Sequence, residues 1–245
     1  MGKLFAASVL LLAILYGLVL AFRELRRRRR LRALVRDTAT RPASQLVPGL
    51  VAVEGRAVAV GAPLSSPLQD LVCLAYRVEV ERLQQQSRRD REWTGWKTLH
   101  HDQRRAPLAI EDETGAVPLE LGSAPLGFGS ATRGELRPAA GVPPDGTPAA
   151  RALALAKGDR GLGVRWEEAC LRQGEPLFAF GTWSGSSLVS TPSVPIVVSA
   201  EGRQGAVRDL GAAARRKVLE CAFLLCGLLF VGAALAAGIG ELGGR

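Results

Sequence analysis

An uncharged, apolar run over residues 4–22 places the strongest constraint on what this chain can form. At about 1.5 Å per helical residue, a run of this length crosses the roughly 30 Å hydrocarbon core of a bilayer. Arg23 and a row of further arginines follow it directly, whereas a cleaved signal peptide has a shorter apolar core and a small-residue cleavage site. The sequence therefore predicts a membrane-spanning helix that is retained.

A second apolar run covers residues 222–239 and also lacks charge. Its length again suits a span, and its many small residues allow close contact between membrane helices. Cys221 and Cys226 belong to this segment, so we interpret them as packing residues of a second span.

The basic residues lie beside these two runs. The chain has a formal net charge of +9, and eight arginines against Glu24 lie between residues 23 and 36. Such a cluster is typical of a topology signal that also contacts anionic lipid headgroups. We expect no nucleic-acid binding. The residues predicted to contact the membrane surface are Arg23, Arg26, Arg27, Arg28, Arg29, Arg30, Arg32, Arg36, Arg215, Arg216 and Lys217.

The same charges predict topology. Positive residues close to span ends stay on the cytoplasmic side, and here they lie on the loop side of both runs. The localisation predicted is a multi-pass protein of the bacterial inner membrane, with its middle region in the cytoplasm and both termini outside.

The middle region has the period-two pattern of half-buried strands. Apolar and polar residues alternate in segments 50–60, 76–81 and 108–121, and Gly115 supplies the permissive backbone of a hairpin turn. Segments 175–180 and 194–199 are also strand-like, whereas 165–173 has strong helix formers. The prediction is a mainly β domain, barrel-like or sandwich-like, with about seven short strands and one short helix, flanked by two transmembrane helices.

Residues for enzymatic chemistry are sparse. The sequence has no GxxxxGK[ST], GxSxG or HExxH motif, and its two histidines, His100 and His101, are adjacent. We predict no catalytic residue, metal or cofactor. Cys73 lies in an apolar run and is predicted to be a buried packing residue of a strand, with a raised pKa and slow reactions.

The order of several small motifs resembles the GIDE domain, also called BAM for "beside a membrane". This domain occurs in prokaryotic membrane proteins and in the mitochondrial-anchored ubiquitin protein ligase of eukaryotes. The resemblance covers roughly residues 50–199 and the flanking apolar runs. It is carried by Gly55, Pro63, Leu64, Ser66, Pro67, Cys73, Tyr76, Asp112, Thr114, Gly115, Glu167, Leu171, Gly174 and Gly181.

The domain organisation predicted on this basis has five parts. They are a transmembrane helix (1–22), a polybasic juxtamembrane segment and linker (23–48), a GIDE/BAM-like β domain (49–202), a second juxtamembrane segment (203–217) and a second transmembrane helix (218–240).

The resemblance implies two alternative functions. In the eukaryotic relative a zinc-binding RING recruits the ubiquitin-charged partner, but a RING needs eight Cys or His ligands and this sequence has four Cys and two His. We therefore expect a non-catalytic protein- or lipid-interaction module, presenting Ser66, Pro67 and the Trp93–Trp96 region to an unidentified protein partner or to lipid headgroups. The alternative is a ubiquitin-ligase-like factor or an accessory subunit of a membrane enzyme, with a site near His100, His101 and the acidic turn Glu111, Asp112 and Glu113.

Overall fold

The computed structural model divides into two compact units, Met1–Asp37 with Val207–Arg245, and Thr38–Ala206, which we call the β domain. The backbone is described over residues 2–88, 91–122, 124, 126–137, 143–156 and 162–243. Side chains are described at position 9 and over residues 12–85, 94–122, 124, 126–137, 143–156 and 162–228.

Two long helices form the first unit, α1 (Gly2–Asp37) and the part of the last helix that follows residue 206. They run antiparallel. A Cβ atom added at Gly17 would lie 3.8 Å from Leu224 Cδ1, and one added at Gly211 would lie 3.2 Å from Arg32 Cζ. Both helices also carry exposed large apolar side chains, among them Leu12, Tyr16, Leu219 and Phe223.

The prediction of two membrane-spanning helices is wrong. Within the described residues, neither helix contains a stretch that is both long enough and apolar enough to cross a membrane. Among described side chains, the uncharged stretches are 12–22 before Arg23 and 221–228 after Glu220, each much shorter than the roughly 20 residues that a span needs. The predicted inner-membrane localisation depended on those spans and is wrong with them.

The β domain contains most of the regular structure. Its strands, in chain order, are β1 (Gly49–Ala59), β2 (Leu64–Ser65), β3 (Val72–Cys73), β4 (Ala75–Arg88), β5 (Arg91–Arg105), β6 (Leu108–Asp112), β7 (Gly115–Glu120), β8 (Leu126–Gly127), β9 (Ala131–Leu136), β10 (Gly163–Leu171), β11 (Pro176–Trp183), β12 (Leu188–Val189) and β13 (Val197–Ser199). Its helices are a 3-10 turn (Ala43–Gln45), α2 (Pro148–Leu155) and the start of α3 (Gly202–Gly243).

One sheet has seven strands in the order β1-β6-β7-β12-β11-β13-β8. An additional pairing of β1 with β11 closes the first five into a ring, which is the barrel-like form of the prediction. Gly55 is required where β1 leaves β11 and joins β6, because a Cβ atom there would lie 2.3 Å from the Glu111 carbonyl oxygen. The largest group of buried apolar residues, including Val53, Leu108 and Ile110, comes mainly from this sheet.

A second, four-stranded sheet has the order β5-β4-β10-β9. β4 pairs with β10 only as far as Leu83, and beyond that point it continues with β5 as a two-stranded arm. A second apolar cluster, including Leu68, Val78, Val80 and Ala152, joins the inner face of this sheet to α2 and to the loop between β2 and β3.

The predicted mainly β architecture is confirmed, including strands at 50–60 and 76–81 and the hairpin at Gly115. The strand number is wrong, because the structure has thirteen strands within the described residues. The predicted helix at 165–173 is also wrong. That segment is β10, which pairs with β4 on one side and β9 on the other, and these pairings override its helix propensity.

Candidate functional site

A groove crosses the outer face of the four-stranded sheet. It has a volume of about 650 Å³, within the range of ligand pockets. We call it the charged groove. Its lining comes from β4, β10 and the edge strand β9, and consists of Glu79, Glu81, Arg133, Gly134, Glu135, Arg165, Trp166 and Glu167.

Strand register brings these charges together from three distant parts of the chain. Residues directly opposite each other on neighbouring strands share a face of the sheet. Two rows result, running across β4, β10 and β9 in that order. The first row is Glu79, Glu167 and Arg133, and the second is Glu81, Arg165 and Glu135.

Glu167 is the centre of an ion-pair network in the first row. It accepts a hydrogen bond from Arg133 Nε at 2.7 Å and another from Arg77 Nη2 at 3.2 Å. Partial burial alone would raise the pKa of Glu167, but the hydrogen bond and charge of Arg133, together with the charge of Arg77, lower it below its usual value. Glu167 therefore stays ionised and keeps Arg133 over the groove.

Arg165 is held in the second row by two contacts. Its Nε donates to Glu81 Oε2, and its guanidinium lies over the Trp96 ring, 4.3 Å from the ring centre. The hydrogen bond to Glu81 raises the pKa of Arg165 further above its ordinary value. Cation–π stacking and ion pairing together fix the direction of this side chain.

Two further carboxylates complete the groove. Glu79 accepts a hydrogen bond from the Thr98 hydroxyl at 3.2 Å. Glu135 accepts one from Arg137 Nε at 3.0 Å, and the Arg137 side chain is 77% exposed. Glu135 is exposed and Glu79 is half-buried, so water reaches both carboxylates.

On the face of the sheet behind the groove, Gly134 allows β9 to pack closely against β10. The Trp166 ring from the neighbouring strand covers this glycine, and a Cβ atom added there would lie 2.1 Å from a ring carbon. The indole therefore occupies the space that a side chain at position 134 would need. This contact fixes the relation of β9 to β10 along the groove.

On the opposite face of β10, Glu168 fixes the loop between β2 and β3. Its side chain is 1% exposed and accepts hydrogen bonds from Leu68 N at 2.8 Å, Gln69 N at 2.9 Å and Ser66 Oγ at 3.2 Å. Ser66 Oγ accepts in turn from Leu71 N at 3.2 Å. A buried carboxylate thus replaces water as the partner of the loop's backbone.

Cys73 lies in β3 and is buried, as predicted. Burial is the main cause that raises its pKa to about 12, and a hydrogen bond with the Cys170 thiol adds to the shift. Burial also raises the pKa of Cys170. Both thiols are therefore protonated at neutral pH, and neither is an activated nucleophile.

Most residues that carried the family resemblance build turns and close contacts. Asp112 accepts hydrogen bonds from Ala43 N at 2.8 Å and Thr114 N at 2.7 Å, and Gly115 has a positive φ in the same turn. Gly174 lies in the turn between β10 and β11 and has a φ of 81°. The remaining positions lie in the strands or in the loops that join them: Gly55, Pro63, Leu64, Ser66, Pro67, Cys73, Tyr76, Leu171 and Gly181. Glu167 is the member of this set that lines the groove.

The binding residues suggested by the sequence are not brought together. His100 and His101 lie in β5 of the four-stranded sheet, whereas Glu111, Asp112 and Glu113 lie at the β6–β7 turn of the seven-stranded sheet. Among the described residues no group of three or more His, Cys, Asp or Glu side chains is arranged to hold a metal ion. The Trp93 side chain lies outside the described residues, and Trp96 supports Arg165.

The predicted membrane-surface residues lie on the two long helices of the first unit. Arg23, Arg26, Arg27, Arg29, Arg30, Arg32, Arg36, Arg215 and Arg216 are exposed, and Arg28 and Lys217 are half-buried. Arg28 pairs with Glu24 at 2.7 Å and Lys217 with Glu220 at 2.5 Å. The contact of these residues with anionic lipid headgroups stays a prediction.

Comparison with known families decides the relationship of this chain. A model of the GIDE family, described as an E3 ubiquitin ligase, matches residues 78–232, more than half of the chain. The chain belongs to the GIDE family. No curated protein and no solved structure matches it.

The GIDE match starts within β4 and ends in α3, so it includes all of the residues that line the charged groove. Of the residues that carried the resemblance, those from Asp112 onward fall in the matched range, and those from Gly55 to Tyr76 precede it. The suspected GIDE relationship is confirmed.

Proposed function

We propose that this GIDE-family chain is a protein-interaction module, in which the charged groove binds a partner protein and the chain itself catalyses no reaction. The observation that carries this proposal is the groove itself. Six charged side chains from three strands line one open face, and ion pairs and a tryptophan hold them in fixed directions.

Fixed charges of both signs favour recognition of a macromolecular surface. Charged and polar groups of complementary sign set orientation and partner choice at an interface. Arg165 and Trp96 are residue types that are enriched where binding energy is concentrated. Because the groove lies on paired strands, its geometry does not depend on a loop closing over it.

Site-specific photo-crosslinking in the full chain tests this function. A photoreactive residue is placed at Thr98 or Arg137, both at the margin of the groove, and in matched controls at Ser186 or Ser193 in exposed loops of the seven-stranded sheet. Irradiation of cells is expected to give the same discrete protein adduct from both groove positions. The control positions should give none.

A groove without a partner gives a different pattern. If the two groove positions capture nothing specific, or if the Ser186 and Ser193 variants yield the same adduct, the groove is not the interaction surface and the proposal is wrong.

The description of the matching family favours a second candidate, a direct role in ubiquitin transfer. The purified full chain would then accelerate discharge of a ubiquitin-charged conjugating enzyme. Under the first proposal the discharge rate is the same with and without the chain. A chain-dependent increase would replace the interaction module with the ligase-like alternative.

A further inference from the structure

One edge of the four-stranded sheet has no partner strand in the described part of the chain. The sheet order is β5-β4-β10-β9, so β9 pairs with β10 on one side only. Alternate N–H and C=O groups of an antiparallel edge strand point away from the sheet and can pair with another chain. Thr132, Arg133 and Glu135 of β9 are exposed. The edge of β9 is therefore accessible for the addition of a strand.

The other edge strand, β5, has features that discourage such pairing. The β4–β5 ladder shifts register between Val80 and Glu81, which indicates a bulge. Lys97 and Arg104 of β5 are exposed. Bulges and charged side chains, lysine above all, are ways in which proteins block an edge. β9, in contrast, pairs with β10 in one continuous register, so it is the regular edge of this sheet.

The sequence of β9 is complementary to itself in one antiparallel register. Residues directly opposite each other on neighbouring strands share a face of the sheet. A two-fold axis at Gly134 places Arg133 of each copy opposite Glu135 of the other copy. An axis at Arg133 or at Glu135 would instead place like charges opposite each other, which is unfavourable. Charge therefore selects the register centred on Gly134.

The charge rows of the groove continue across this axis. The first row of one copy ends with Glu167 and Arg133. It would meet Glu135 and then Arg165, from the second row of the other copy, so the four charges alternate in sign. Arg133 bonds Glu167 through Nε, so its terminal N–H groups can donate to Glu135 of the other copy. Arg137 bonds Oε1 of Glu135, which leaves Oε2 as the acceptor.

We propose that two copies of this chain associate by antiparallel pairing of β9 about a two-fold axis at Gly134. The result is an eight-stranded sheet in which both charged grooves open on the same face. A two-fold dimer needs a surface that is complementary to itself, which the edge of β9 provides. A strand of an unrelated protein would need no such symmetry, so the occupant that fits this edge is a second copy. The inference does not depend on the groove having another partner.

Reciprocal charge reversal in the full chain tests the inference. Arg133→Glu would place glutamates opposite each other at both contacts of the two-fold interface, and Glu135→Arg would place arginines there. Each variant alone should therefore dimerise more weakly. A mixture of the two variants pairs glutamate with arginine at both contacts and should dimerise well. Arg172→Glu and Glu175→Arg make the same changes in the turn between β10 and β11, and they serve as matched controls.

Sedimentation of a fluorescently labelled chain, titrated with unlabelled chain, measures the association. Symmetry repeats each contact and repulsion replaces attraction, so each single variant is expected to lose about tenfold in dimer affinity. The mixture should regain the affinity of the parent, and this recovery also shows that both variants are folded. The two control variants should associate as the parent does. Association through any other surface is the same in all of these chains.

Several results would overturn the inference. A parent chain that stays monomeric over the whole titration would show that β9 does not pair with itself. Single variants that associate as tightly as the parent, or a mixture no tighter than either variant alone, would show that Arg133 and Glu135 do not face each other. An equal loss in the control variants would assign the effect to charge in general.

Discussion

Glu168→Gln is expected to destabilise the β domain strongly, although the change removes no volume. The side chain is 1% exposed and lies at the centre of three hydrogen bonds from the loop between β2 and β3. Two of the donors are backbone N–H groups, of Leu68 and Gln69, so no rotation of a side chain can redirect them. The carboxylate accepts with both oxygens.

An amide has one oxygen and one NH₂ group in the same space. After the substitution, either Leu68 N or Gln69 N faces the NH₂ group and loses its acceptor. Hydrogen bonds to charged groups contribute about 1.5–3 kcal/mol, and a buried donor left without a partner costs about 1–3 kcal/mol. We expect a loss of about 3 kcal/mol in the free energy of unfolding. For a domain of this size that corresponds to a fall of about 6–12 °C in Tm.

Chemical unfolding of the full chain measures this loss through tryptophan fluorescence, because all four tryptophans lie in the β domain. Glu113→Gln makes the same chemical change at an exposed turn and should stay within about 0.5 kcal/mol of the parent. Ser66→Ala removes one donor to Glu168. Combined with Glu168→Gln it should cost less than the sum of the two single changes, since both act on one network.

The reasoning fails if Glu168→Gln unfolds within about 0.5 kcal/mol of the parent. It also fails if Glu113→Gln loses as much, because the loss would then reflect total charge and not the buried acceptor.

Three further predictions follow from single contacts. Gly134→Ala should lower Tm, since its Cβ atom would overlap the Trp166 ring, and the loss should shrink when Trp166 is also replaced by Ala. Iodoacetamide at neutral pH should modify exposed Cys226 much faster than Cys73, whose pKa of about 12 leaves almost no thiolate, and equal rates read by peptide mass spectrometry would contradict this. The hydrogen bond from the Thr114 hydroxyl is the main cause that lowers the pKa of Asp112 below 3.8. The ionised Asp112 carboxylate therefore stabilises the folded state above that pH, and this stabilisation is lost as the pH falls through the lower folded pKa. Asp112→Asn should flatten stability below about pH 4, measured by thermal melts, and an unchanged pH profile would refute the assignment.

The alternation of apolar and polar residues was sufficient to predict several strands of the β domain. Val78 and Val80 are fully buried in β4, while Arg77 and Glu79, which alternate with them, reach the outer face, and this is the pattern that predicted a strand. The hairpin at Gly115 was predictable for the same reason, because the alternation resumes after a residue with permissive backbone.

The same rule failed at β10 because its buried positions include a polar residue. Trp166, Glu168 and Cys170 point to one face, but a glutamate at an inward position does not look apolar in sequence. The partners that satisfy it are backbone groups about 100 residues earlier. Helix propensity then suggested the wrong element. A signal for α2 was present and missed, since Thr147 caps the helix and Pro148 occupies its first turn.

The charged groove was not predictable from the sequence. Its rows form only because β4 and β9 pair with opposite edges of β10, and this order of strands depends on register across more than 80 residues. Polar residues such as Glu79, Arg133 and Glu135 look like ordinary solvated positions when each is considered alone. The sequence suggested a site at His100 and His101 instead. These histidines lie in the four-stranded sheet, whereas the acidic turn lies in the seven-stranded sheet.

Adjacent residues Glu167 and Glu168 separate binding from stability in this domain. Because successive side chains of a strand point to opposite faces, one carboxylate lies in the charged groove and the other in the loop contact behind it. Glu167→Gln should therefore change the charge that a ligand meets and cost little stability, since Arg133 is mostly exposed. Glu168→Gln should do the reverse while the protein remains folded. If instead the two variants changed partner capture at the groove positions and unfolding in parallel, the two faces of β10 would act as one site, and the groove could not be treated as a binding surface independent of the fold.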